Sequence, residues 1–295
     1  MHKEVVNHTK SYQELIEMDF SSRSLQSLVD TGNIRRVTRG TYSSQVQPSR
    51  EEEHLALAIA FRNRRAETVL THISAAIAWG LPVLNVPQQL HIRAQKGSHS
   101  PQLITHQDSL SLAASTATTP YALKATVPLD TVVACARTTP LDEAVVIADS
   151  ALYQGLMGYQ QLHDALYAVT GPGSRRAKKV ADCMSTQVMS PGETLLRLRL
   201  LEWGFTPVVQ CPVSTSQRVF HGDCGLPEYK VLLEFDGKVK YSGAYGSPHT
   251  VLMQEKERMD AILNAGWRLI RVNWGMVQKP AHKLQAALKA HGVPV

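Results

Sequence analysis

Apolar residues recur at helical spacing near the start of the chain. Tyr12, Leu15, Ile16 and Met18 predict a helix over 11–18, and Ser21-Ser22 precedes a second with Leu25, Leu28 and Val29. Gly32 supplies a stop, because glycine readily takes the left-handed conformation that ends helices. The run Ile34 to Tyr42 then reads as a basic β-ribbon turning at Gly40. Further on, 51–64 is an amphipathic helix, and 71–79 is another, ended by Gly80 and Pro82. Short strands are expected at 89–93 and 102–106. Pro128 and Pro140 open helices over 129–136 and 141–152, and another helix lies near 159–169.

The last third has a different rhythm. Ser190-Pro191-Gly192-Glu193 opens a helix over 194–203 with Leu195, Leu198 and Leu201 on one face, closed by Gly204. Val208 to Val213 reads as a strand, and Asp223 opens a second after a polar turn around 215–218. Residues 230–236 form a third, whose alternation places Val231, Leu233 and Phe235 on one face and Leu232, Glu234 and Asp236 on the other.

A chain of 295 residues with 43% hydrophobic and 19% charged residues is globular in balance and long enough for two or three domains. No apolar run approaches a membrane span and the N-terminus lacks a secretory core, so no membrane partner is expected and the chain reads as cytoplasmic. Cys135, Cys183, Cys211 and Cys224 are far apart and read as plain thiols; a metal set of His221, Cys224 and Cys211 has weak spacing. The net charge of +6 suits a polyanionic partner, since lysine and arginine displace counterions from phosphates. Gly171-Pro172-Gly173 followed by Arg175, Arg176, Lys178 and Lys179 reads as a hinge into a basic helix, a soluble connector or a DNA-tracking arm.

Helix, turn, helix and basic hairpin is the layout of a winged helix-turn-helix, whose second helix enters the major groove. Arg23, Ser24 and Ser27 are the groove-facing choices, and Arg35, Arg36 and Arg39 those of the wing. The arginines also suit a solvated edge strand protected against stray pairing. Through Gly32-x-Ile34-x-Arg36-Val37-x-Arg39-Gly40-x-Tyr42, the stretch 12–44 resembles the N-terminal domain of AbiEi-type antitoxins of type IV toxin-antitoxin systems. That resemblance implies DNA binding, with a toxin or another protein as a further partner.

In the C-terminal part, two carboxylates on one face of an apolar strand are costly unless neutralised. A metal ion would do so. Asp223, with ten residues between it and Glu234, can complete a hard oxygen site with Glu234 and Asp236, suited to magnesium or manganese. The ion would activate a water and stabilise charge on a phosphodiester. The order of Glu193, Asp223, Glu234-x-Asp236-Gly237, then helix and strand resembles the PD-(D/E)XK nuclease superfamily. More narrowly it resembles a domain family related to very-short-patch-repair endonucleases, over 190–277. The run Ser190-Pro191-x-Glu193-Thr194-x-x-Arg197, Gln210, Glu234 to Tyr241, Glu255-Lys256-x-Arg258 and Gly266-Trp267 to Trp274 carries this likeness.

The superfamily motif ends in lysine where this chain has Asp236, and Lys238 or Lys240 can supply the cation if the strand continues past Gly237. Glu193 equally fits a capping box with Ser190. Arg258 reads either as a phosphate contact or as a partner of local carboxylates, and Arg271 as a local partner. The histidines His72, His91, His99 and His106 fall on different elements and form no cluster in the sequence.

The expected architecture is therefore an α+β multidomain chain. It has a winged helix-turn-helix (1–48), a mixed connecting domain rich in helix (49–170), a basic linker (171–189) and an α/β restriction-endonuclease-like domain (190–295). Two functions follow: a DNA-binding protein with a metal-dependent endonuclease, or an antitoxin-like transcriptional regulator whose nuclease fold is inactive.

Overall fold

The computed structural model describes residues 4–65, 67–94, 100–107, 115–215, 218–237 and 248–295. It is a mixed α/β structure with three β-sheets among the described residues, divided into two compact units, Met1–Asp182 and Cys183–Val295. No described helix is long and apolar enough to cross a membrane.

The first unit opens with α1 (Glu4–His8), β1 (Thr9–Ser11), α2 (Tyr12–Glu17), α3 (Ser22–Asp30), β2 (Arg35–Thr38) and β3 (Thr41–Ser43). Ser11 and Ser21 start the two helices because their hydroxyls accept orphan N–H groups of the first turn, from Glu14 and Ser24. The strands form an antiparallel sheet in the order β1-β3-β2. The sequence reading did not contain α1 or β1, which are too short to show a period. Val5 and Val37 pack into the same core as the elements that follow, so 4–48 is not a free-standing module.

The remainder of the unit comprises α4 (Arg50–Arg64), β4 (Val69–Leu70), α5 (His72–Ala78), β5 (Leu90–Arg93), β6 (Leu103–His106), β7 (Thr116–Thr118) and β8 (Lys124–Thr126). They are followed by α6 (Pro128–Thr138), α7 (Leu141–Tyr153), α8 (Tyr159–Tyr167) and α9 (Ser174–Cys183). The strands make a five-stranded sheet, β6-β5-β4-β8-β7, of which the pattern had indicated two short strands, the ones here numbered β5 and β6. Its core joins Leu55, Ile59, Leu70, Ile77, Leu90, Leu103 and Leu123. Ser49 caps α4 through a reciprocal pair with Glu52, at 3.2 and 2.7 Å. Helix α9 occupies much of the stretch read as a linker, with Ala177, Val180 and Ala181 buried and Arg175, Arg176, Lys178 and Lys179 exposed.

The second unit comprises α10 (Pro191–Glu202), β9 (Val208–Ser214), β10 (Val219–Leu226), β11 (Val231–Phe235), α11 (Pro248–Asn264), β12 (Arg268–Val272), α12 (Trp274–Val277) and α13 (His282–Ala290). The sheet order is β12-β11-β10-β9, with β11 and β12 parallel and the other neighbours antiparallel. The alternation in β11 separates its two faces as expected. Leu232 packs with Cys211, Val213, Phe220 and Ile262 on the α11 side, whereas Phe235 turns toward Gly192 of α10 and meets Trp274 edge-on at 5.2 Å. A Cβ at Gly192 would overlap the Phe235 ring, so only glycine allows α10 this close.

Candidate functional site

The acidic residues of the second unit are set by the pairing of β10 and β11. Their ladder runs Leu226↔Val231, Gly225↔Leu232 and Cys224↔Leu233. One step further, the backbone N–H of Phe235 donates to the Asp223 carboxylate at 2.7 Å, so a side chain takes the place of a ladder carbonyl. Asp223 lies in the middle of β10, not at its start. The pairing brings it beside Glu234, as the sequence reading required.

Arg258, from α11, completes the arrangement. Its guanidinium is ion-paired with Glu234, donates to the carbonyl of His221 at 3.1 Å and lies 3.8 Å from Glu255. Burial by itself would lower the Arg258 pKa. The hydrogen bond and charge of Glu234, with the charges of Glu255 and Asp223, outweigh burial and raise it. The guanidinium therefore supplies a compensating charge to Glu234. Arg271 donates to the other oxygen of Glu255 at 2.5 Å, the local partnership expected of it.

Of the other residues of the expected centre, Asp236 and Glu193 are described. Asp236 is exposed, and its backbone N–H donates to the Val272 carbonyl at 2.7 Å. Glu193 accepts from the Ser190 hydroxyl at 2.7 Å and from the Met189 N–H at 3.1 Å, as a helix cap does. Lys238 and Lys240 lie outside the described residues. Among the described residues no group of three or more histidines, cysteines and carboxylates is arranged to hold a metal. Arg258 takes one oxygen of Glu234, and no third histidine, cysteine or carboxylate among the described residues joins Asp223 and Glu234 in a group that could hold magnesium or manganese. The four cysteines are buried free thiols, and burial pushes Cys224 up to about 12.

In the first unit, Arg23 and Ser27 are exposed on α3, while the Ser24 hydroxyl is used within the cap, donating to the Ser21 carbonyl at 2.9 Å. Arg36 and Arg39 are exposed on the β2–β3 hairpin. Arg64, at the end of α4, holds the turn by donating to the Arg39 carbonyl and to the Thr38 hydroxyl, the latter at 2.7 Å. Arg35 differs from its neighbours. It is partly buried, its Nε donates to the Gln45 carbonyl at 2.8 Å, and burial lowers its pKa against the raising effect of Glu53.

The histidines that the sequence scatters are brought together by the fold. His72 and His106 stack with centroids 3.6 Å apart, and His106 Nε2 lies 3.0 Å from His91 Nδ1. The parallel pairing of β5 with β6 sets His91 opposite Ile104 and His106 opposite Arg93, making the two histidines diagonal neighbours. His99 lies outside the described residues. Beside the cluster, His54 Nδ1 is 2.9 Å from the Pro87 carbonyl and its Nε2 is 2.8 Å from the Ser74 hydroxyl. A carbonyl only accepts, so Nδ1 carries the proton and Nε2 accepts from Ser74. The Ser74 oxygen in turn accepts the His91 N–H at 2.8 Å.

No protein-family model and no curated protein matches the chain. Among solved structures it is similar to the RV2827C protein from Mycobacterium tuberculosis, at 17% identity over 72% of this chain and 82% of that one, with a TM-score of 0.39.

Proposed function

We propose that this chain is a DNA-binding regulator, of the antitoxin-like kind, whose C-terminal unit keeps a nuclease-type layout without its chemistry. The observation that carries the reading is the Arg258–Glu234 ion pair, which neutralises the acidic pair from within the protein. The N-terminal order α1-β1-α2-α3-β2-β3, with sheet order β1-β3-β2, fits a winged helix-turn-helix. Arg23 and Ser27 on α3 suit groove contact, and Arg36 and Arg39 suit phosphate contact along the hairpin.

A second reading, metal-dependent endonuclease, is favoured by one observation: Asp223 and Glu234 stand beside each other on adjacent strands. Incubation of the full chain with plasmid and linear duplex DNA, in saturating magnesium or manganese, separates the two. The regulator reading expects retarded DNA with a steep salt dependence, no cleavage, and no metal-induced rise in Tm. Cleavage that disappears in Glu234→Gln would replace it with the endonuclease reading. Absence of salt-sensitive DNA binding would remove both.

A further inference from the structure

Helix α9, in the stretch that the sequence presents as a basic connector, is firmly seated on the first unit. Arg137, at the end of α6, donates from Nε and Nη2 to the Pro172 carbonyl, both at 3.2 Å, and Arg176 Nη1 donates to the Arg137 carbonyl at 3.1 Å. Gly173 lies so close to Arg137 that an added Cβ would overlap its carbonyl oxygen, and its positive φ favours glycine. Ala177, Val180 and Ala181 are buried beneath the helix. The other side carries Arg175, Arg176, Lys178 and Lys179, all exposed.

Nothing in the helix itself favours this arrangement. Arg175 with Lys178, Arg175 with Lys179, and Arg176 with Lys179 are like charges three or four residues apart, which repel on a helix surface. Arg175 and Arg176 also stand in the first turn, where the helix dipole disfavours cations, and no acidic residue stands there. The one carboxylate of the helix, Asp182, accepts from the Tyr167 hydroxyl at 2.5 Å, while Lys178 lies 6.0 Å from the centre of the Tyr167 ring. Among the described residues, the ion pairs include none of the four cations. Positive charge is thus held in a fixed place and left for an external anion to neutralise.

Charge density selects the anion. Residues 175–179 span about 6 Å of helix axis at about 1.5 Å per residue, so their four charges are about as dense as the phosphates of a duplex, one per about 1.7 Å of its axis. An extended acidic peptide offers at most one carboxylate per about 3.3 Å and leaves roughly half of them unmatched. We infer that α9 is a phosphate-contact surface for duplex DNA, additional to the residues of α3 and the β2–β3 hairpin. Arg175, Lys178 and Lys179 meet the backbone and release counterions, which adds affinity without reading sequence. The inference rests on the DNA-binding reading above and gives it a separate surface.

The test uses the full chain and a duplex probe, with affinity measured against salt by fluorescence anisotropy. Arg175→Gln, Lys178→Gln and Lys179→Gln together should reduce the slope of log affinity against log salt by about two to three, since each lost phosphate contact removes about 0.9. Arg176 is kept because it holds the Arg137 carbonyl. The triple variant should melt no lower than the wild type, because neutralisation relieves the repulsion, so its lost slope is not lost fold. Lys179→Gln alone should reduce the slope by about one and keeps the test decisive if the triple variant melts lower. Combined with Arg36→Ala and Arg39→Ala, the reductions should add. An α9 variant that keeps its slope while the hairpin variants lose theirs overturns this surface and leaves the DNA-binding reading intact. The same holds if the α9 variant loses only binding to polyglutamate or to anionic vesicles, which would assign the helix to a protein or a lipid. A wild type without salt-sensitive duplex binding overturns both.

Discussion

Arg258 on α11 is ion-paired with Glu234 on β11, and the two side chains keep only 23% and 16% of their surface exposed. Removing one partner of such a pair leaves the other charged and poorly hydrated. Arg258→Met should therefore lower the unfolding free energy by about 2 kcal/mol, below the range for a fully buried pair because solvent still reaches both groups. Adding Glu234→Gln should recover much of the loss, as partners in one network are non-additive. Urea unfolding of the two single variants and the double variant measures this. Simple additivity would mean that the pair has no energetic content.

Gly192 lies against the ring of Phe235, where an added methyl has no space. Gly192→Ala should destabilise the protein by about 1–3 kcal/mol despite the better helix propensity of alanine, since overpacking forces the ring or α10 to shift. Phe235→Leu in the same background should relieve part of the strain. Thermal melts of both variants check the contact, and a stabilising Gly192→Ala would contradict it.

The hairpin arginines should divide by exposure. Arg36→Ala and Arg39→Ala should each reduce the slope of log affinity against log salt by about one for a duplex probe, the signature of one lost phosphate contact. Arg35→Ala should barely change that slope, because its guanidinium is partly buried and donates to the Gln45 carbonyl. An equal effect from all three would return Arg35 to the DNA surface.

Burial lowers the pKa of His54 to about 4, of His72 to about 3 and of His91 to about 4; the charge of His106 adds to the effect at His72 and His91. Unfolded histidine titrates near 6.5, so as pH falls below about 6.5 the unfolded chain takes up protons that the folded one refuses. The stability these groups contribute is complete above that pH and is lost as acid approaches the folded values. Between about pH 5 and 6, unfolding should absorb about two to three protons through these residues. Glu143, whose carboxyl is raised by burial, takes up a proton more readily in the folded state and opposes the trend. Urea midpoints against pH measure the slope, and His91→Gln should reduce it by about one proton.

Much of the helical framework was legible because it is local. The periods of Leu55 and Ile59, or of Leu195 and Leu198, announce α4 and α10, and serine at 11, 21, 49 and 190 marks starts that the backbone must cap. The two faces of β11 follow from alternation alone. The nearness of Asp223 to Glu234 was legible too, since a short turn between strands leaves few other registers.

What remained hidden depends on partners distant in the chain. Strand β4 is two residues long and exists only because it pairs β5 on one side and β8 on the other. The histidine cluster needs the β5–β6 register, which no local pattern encodes. Most consequential is the choice of counter-charge. Composition and spacing by themselves established that Glu234 sits on an apolar strand and must be neutralised. Only the tertiary structure decided that Arg258 does so, because a Coulomb interaction acts on distance in space and α11 brings a guanidinium there from twenty-four residues further along the chain.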